Sequence, residues 1–239
     1  MDFTDETVRR RELGDRSPAE ISEFVGKLGP KDLIAIARST VRGLGVYEVS
    51  LVKRERVGGK LLPAQTIKIT MRESPRAARL EFVAGPAKGR KVLYNEELRR
   101  NEMRVREPGA LGLVGGIWIG LDNPLARADS RHPVTDVGYS ALLSFLERDL
   151  DGSEPHGGHE RRDVGFDASG LWTTEFVAPN AARHLEVRRA RFTLDLVAGL
   201  PVEIEAHDDS GVLEHHRYEL VRRGIEVPRG FFEPKSFGV

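Results

Sequence analysis

The stretch YEVSLVKRERVGGKLLPAQTIKITMRES, residues 47–74, decides the fold class. Its second half alternates: Ile67, Ile69 and Met71 fall on one side, and Thr66, Lys68 and Thr70 on the other. A period of two is that of a strand with one apolar and one wet face. Its first half, 47–57, ends on Gly58-Gly59, a dipeptide suited to a tight hairpin turn.

The alternation continues downstream. RLEFVAG places Leu80 and Phe82 on one face, and RKVLYNE and NEMRVRE carry it on through Val92 and Tyr94, then Met103 and Val105. The result reads as an antiparallel meander. Upstream the period is helical. Ser17, Pro18 and Glu20 form a helix start with a capping box, and Leu33, Ile34, Ala37 and Val41 share the face of a second helix. After the meander, Leu142, Leu143, Leu146 and Leu150 predict a helix entered from Thr135. The segment DGSEPHGGHERRD reads as an exposed linker. LWTTEFVA and the region from Arg188 to Val221 return to strands, with turns at 198–201 and 208–211. The order helices, meander, apolar loop, helix, meander predicts an α+β chain, mainly β.

Composition narrows the function classes. Lys plus Arg equals Asp plus Glu at 37 each, so no net charge draws the chain to a polyanion. Aromatic residues are 7% and do not interleave with the basic doublets, which disfavours nucleic acid. The absence of cysteine excludes disulfides, thiolate nucleophiles and Cys-ligated metals. The N-terminus lacks the apolar core of a signal peptide, so the expectation is a cytosolic protein or one whose leader is absent from this sequence. Gly85 to Lys91 has the wrong spacing for a phosphate loop and reads as a strand turn. His156, His159, Glu160 and Asp163 could gather around zinc, but they lie in the linker, where a solvated loop is the simpler reading. His215 and His216 are neighbours on a strand and point to opposite faces. His132 reads as an anchor at the helix entry. No serine elbow and no carboxylate pair stands out. The expectations are therefore no enzyme, no metal and no cofactor.

One stretch is unlike its surroundings. GALGLVGGIWIGLD, 109–122, has no charge before its last residue in a chain that is 31% charged. It is either a packed crossover between sheet and helix or a movable lid over an apolar hollow.

The blocks VKRERVGGKLLPAQTIKITMRESP, LEFVAGPAKGRKVLY, LGLVGG, NPLARADSRHPVTDVG and LPVEIEAHDD resemble an uncharacterised bacterial domain-of-unknown-function family over roughly residues 30–239. That family is related to the LolA/LolB-like lipoprotein-localisation (LppX-like) superfamily. The resemblance implies a curved antiparallel half-barrel with helices over its concave side. It also implies a lipid or an acylated lipoprotein as partner, envelope membrane proteins as further partners, and a periplasmic or envelope-associated location. A single such domain is expected over 17–239, after a flexible segment at 1–16. Function is then non-enzymatic binding or carriage of an acyl chain; the alternatives are a scaffolding domain with a self-filled core and a metal-dependent hydrolase. The expected cavity and lid residues are Ile67, Ile69, Met71, Leu80, Phe82, Leu111, Leu113, Val114, Ile117, Trp118, Leu142, Leu146, Trp172 and Phe176.

Overall fold

A computed structural model describes residues 2–28, 30–151, 160–166, 171–179 and 186–239. In chain order the elements are α1 (Glu6–Leu13), α2 (Pro18–Gly26), α3 (Pro30–Gly43), β1 (Val46–Val57), β2 (Lys60–Leu61), β3 (Gln65–Arg72), β4 (Ala77–Ala84) and β5 (Lys91–Asn95). They continue with α4 (Glu96–Arg99), β6 (Glu102–Arg106), β7 (Ile117–Gly120), α5 (Tyr139–Asp151), β8 (Glu160–Phe166), β9 (Trp172–Val177), β10 (Arg189–Asp195), β11 (Leu200–Asp208), β12 (Gly211–Arg222) and α6 (Pro234–Phe237). The fold is thus α+β and mainly antiparallel β, with twelve strands among the described residues. The chain divides into two compact units, Met1–Gly43 with Tyr139–His215, and Leu44–Gly138 with His216–Val239.

In the first unit the strands run β12-β11-β10-β9-β8, β12 through its residues 211–215. Trp172 and Phe176 on β9 and Phe192 and Leu194 on β10 are buried by the strand alternation. Helices α3 and α5 pack on each other and on β11, and Arg38 of α3 pairs with Glu147 of α5. The expected capping box of α2 is present, Ser17 and Glu20 exchanging hydrogen bonds. The stretch expected to be flexible contains α1, whose Arg9 is fully buried. Its guanidinium donates to the carbonyls of Phe3 and Thr4 and to Thr40 Oγ1 at 2.6 Å. Burial drives the phenol of Tyr139 upward. Helix α5 begins at Tyr139 rather than at a Thr135 cap, because residues 134–136 first make a separate tight turn.

In the second unit the order is β7-β6-β5-β4-β3-β1-β12, with β2 hairpinned onto β1. Gly58 and Gly59 both adopt positive φ at that hairpin, as the two central positions of a type I′ turn require. Across the meander Leu51 opposes Ile67, and Ile67, just past a register shift at Thr66, opposes Phe82. Leu80 opposes Val92, Val92 opposes Val105, and Val105 opposes Ile117. The opposite face is buried too. There Ala77 and Leu93 pack with Phe232, Phe237 and Val239 of the C-terminal segment. Arg79 holds that segment down, its guanidinium 3.6 Å from the centre of the Phe231 ring and 4.7 Å from that of Phe237.

Candidate ligand cavity

The second unit encloses a cavity of about 490 Å³. Its wall is built by the period of two. Leu51, Lys53 and Glu55 of β1, Leu80 and Phe82 of β4, Met103 and Val105 of β6, and Ile117 and Ile119 of β7 project into it. Ile67, Val92 and Tyr218 complete the sheet side. Between Leu125 and Val137 the chain crosses the cavity and forms its other wall. Two tight turns, 124–127 and 134–136, shape this crossing. Beyond it Gly138, at φ +94°, lies so near Tyr47 Oη that an added Cβ would stand 2.9 Å away. Ile69 and Met71, on the same face of β3 as Ile67, are buried in the core and do not line the cavity.

One end of the cavity is charged, and the register says why. Lys53 and Glu55 continue the inward face of β1 toward its end, opposite the start of β3. Arg90 precedes β5 and Glu107 follows β6, at the same end of their antiparallel strands. His216 of β12 and Asp129 and Ser130 of the crossing join them. Lys53 Nζ donates to Ser130 Oγ at 2.9 Å, to Glu55 Oε2 at 3.3 Å and to the Asp129 carbonyl at 3.5 Å. The Glu55 carboxylate also accepts from the Arg131 backbone N–H at 2.9 Å and from His216 Nε2 at 2.8 Å. A carboxylate only accepts, so Nε2 carries the proton. Burial alone would raise the Glu55 carboxyl. The His216 hydrogen bond, the Lys53 charge and the Arg131 N–H outweigh it and hold the group far below the ordinary carboxylate range. Arg90 pairs with Asp129 at 2.5 Å and Glu107 at 2.9 Å. Burial lowers its guanidinium, and these two carboxylates more than reverse the effect.

Of the expected site residues, Ile67, Leu80, Phe82 and Ile117 line this cavity. Ile69 and Met71 share the face but are buried and outside its lining. Trp118 alternates away from its neighbours Ile117 and Ile119; its ring lies 4.6 Å from the Arg99 guanidinium and 5.5 Å from that of Arg104. Leu142, Trp172 and Phe176 are core residues of the other unit. The side chains of Leu111, Leu113, Val114 and Leu146 lie outside the described residues, as do His156 and His159. Among the described residues no group of three or more His, Asp and Glu could hold a metal.

The glycine-rich stretch forms a short 3-10 helix, Gly109–Val114, followed by strand β7. Two of its glycines serve close approach. A Cβ on Gly112 would stand 2.3 Å from the Glu107 carbonyl, and one on Gly116 2.7 Å from the Val239 backbone. Ile117 is 56% exposed and Leu125 71%, so the apolar lining reaches the surface between them. The charged end matches no sequence motif. Its one local signal is that the inward face Tyr47, Val49, Leu51 continues into Lys53 and Glu55 without a change of register.

A family model described as "Protein of unknown function (DUF1571)" matches residues 45–234. No curated protein matches the sequence. The structure is similar to that of Mycobacterium tuberculosis lipoprotein LppX, at 13% identity and a TM-score of 0.47, over 84% of this chain and 99% of that one. It is similar to a DUF1329 family protein from Desulfovibrio piger, at 12% identity and a TM-score of 0.43, over 87% and 97%. A third likeness is to a LolA superfamily protein from Nitrosomonas europaea, at 10% identity and a TM-score of 0.38, over 83% and 98%. Among the described residues no helix is long and apolar enough to cross a membrane.

Proposed function

We propose that this chain, which belongs to the DUF1571 family, binds the acyl chain of a lipid or an acylated lipoprotein in the cavity of its second unit, as a carrier or binder and not as an enzyme. The observation that carries the reading is the cavity of about 490 Å³ whose aliphatic wall is set by strand alternation. That volume lies within the range of small-molecule sites, roughly 300–1,000 Å³, which are mostly apolar with a few placed polar groups. Each buried methylene contributes ~0.8 kcal/mol without directional demands, so chain length matters to affinity more than chain identity. Ion pairing at the charged end favours binding over catalysis: Ser130 Oγ is engaged by Lys53, and the Glu55 carboxylate by three donors. The self-filled alternative is disfavoured by the same volume. The resemblance of the sequence to the lipoprotein-localisation superfamily is the second support, and with it comes the inference of a periplasmic or envelope-associated location.

The test is titration with phenylnaphthylamine, an uncharged probe that brightens in apolar surroundings. Saturable binding is expected, and Val105→Trp, which fills the middle of the wall, is expected to weaken it by about tenfold or more (~1.4 kcal/mol). Far-ultraviolet circular dichroism of the variant confirms that the sheet is intact. A parent protein that gives no saturable signal, or a folded variant that binds as the parent does, refutes the reading.

A further inference from the structure

We infer that this cavity selects amphiphiles with an uncharged polar head, such as an ester, hydroxyl or amide, and rejects anionic ones; the inference rests on the acyl-chain reading above. The wall of Leu80, Phe82, Val92, Met103, Val105, Ile117 and Ile119 is apolar, so a bound chain lies along it and the head lies at the charged end. There Lys53, Arg90 and the imidazole of His216 are already engaged with three carboxylates, Glu55, Glu107 and Asp129. Neither cation is spare. Lys53 is 8% exposed and engages Glu55, the Ser130 hydroxyl and a carbonyl. Arg90 holds two carboxylates at once.

A carboxylate or phosphate head would add a fourth anion to this group, or would displace one already paired. Like charges brought together where water is partly excluded repel strongly, and desolvating an unpaired anion adds to that cost. An ester or hydroxyl needs only hydrogen bonds. A hydroxyl or amide can donate to a carboxylate oxygen, and an ester carbonyl can accept from an N–H donor, without breaking any ion pair.

The experiment is displacement of phenylnaphthylamine from the full-length protein at pH 8 by monodecanoylglycerol and by decanoate, which share their acyl chain and differ in head charge. Monodecanoylglycerol is expected to compete about tenfold better or more. Glu107→Gln, at the solvent side of the cluster, removes one anion while Asp129 still holds Arg90; it is expected to narrow the gap by strengthening decanoate binding. Equal competition by the two amphiphiles, or stronger competition by decanoate, overturns the head-group selection and leaves the acyl-chain reading standing. If the probe binds and neither amphiphile displaces it, the acyl-chain reading falls, and the selection with it.

Discussion

Removal of the Glu55 carboxylate tests whether the charged end is a dry, ion-paired site. In the parent, Glu55 is 3% exposed and accepts from Lys53, His216 and the Arg131 N–H. Glu55→Ala leaves the Lys53 ammonium buried with only a hydroxyl and a carbonyl as partners. Breaking a buried ion pair by deleting one member costs ~3–5 kcal/mol. Each orphaned donor, here His216 Nε2–H and the Arg131 N–H, costs ~1–3 kcal/mol if water does not reach it. These costs overlap, since they share one site, so a net loss of ~4 kcal/mol is expected. Glu55→Gln keeps an acceptor and loses only the charge; about half that loss is expected. The assay is urea unfolding followed by Trp118 emission in a Trp172→Phe background, because Trp118 belongs to the second unit and Trp172 to the first. With a slope of ~2 kcal/mol/M, a 4 kcal/mol loss moves the midpoint by ~2 M. A Glu55→Ala midpoint within about 0.3 M of the parent's, at unchanged slope, would mean that water solvates the cluster and that the dry-site argument fails.

Two further outcomes follow from particular groups. The native carboxyl of Glu55 is held below its ordinary value of 4.5. The unfolded chain therefore binds that proton first, and the stability this group contributes is complete above that value and lost as pH falls below it. Acid titration of unfolding should accordingly be shallower in Glu55→Gln than in the parent, and equal slopes would contradict the assignment. Gly116→Ala places a Cβ 2.7 Å from the Val239 backbone, which has no flexible tip to move aside. A loss of ~1–3 kcal/mol is expected from this overpacking, read as a lower urea midpoint; an unchanged midpoint would show that the approach is not tight.

Much of this architecture was legible in the sequence because it is local. Alternation across 47–105 predicts the strands and which side chains share a face, so Ile67, Leu80 and Phe82 are legible as one apolar wall; that the wall bounds a cavity is implied by the family resemblance, and Ile117, expected in a lid, lines the cavity from β7. The Gly58-Gly59 turn and the Ser17–Glu20 capping box likewise depend on neighbours within a few residues. Trp118 shows where spacing was set aside: grouped with Ile117 as part of a greasy stretch, it lies on the other face of the strand, against Arg99 and Arg104. The glycines of that stretch read as freedom of movement. At Gly112 and Gly116 the reason is the nearness of the Glu107 carbonyl and of the Val239 backbone, the latter far away in sequence.

What the sequence determined by itself is therefore the period, and through it the strand faces and the apolar character of a wall. What only the tertiary structure decided is where that wall stops. Glu55 finds His216 across 161 residues of chain and Lys53 finds Ser130 across 77. Whether a charged side chain ends in water or in a buried pair is an electrostatic question about distance in space, and sequence separation carries no information about it.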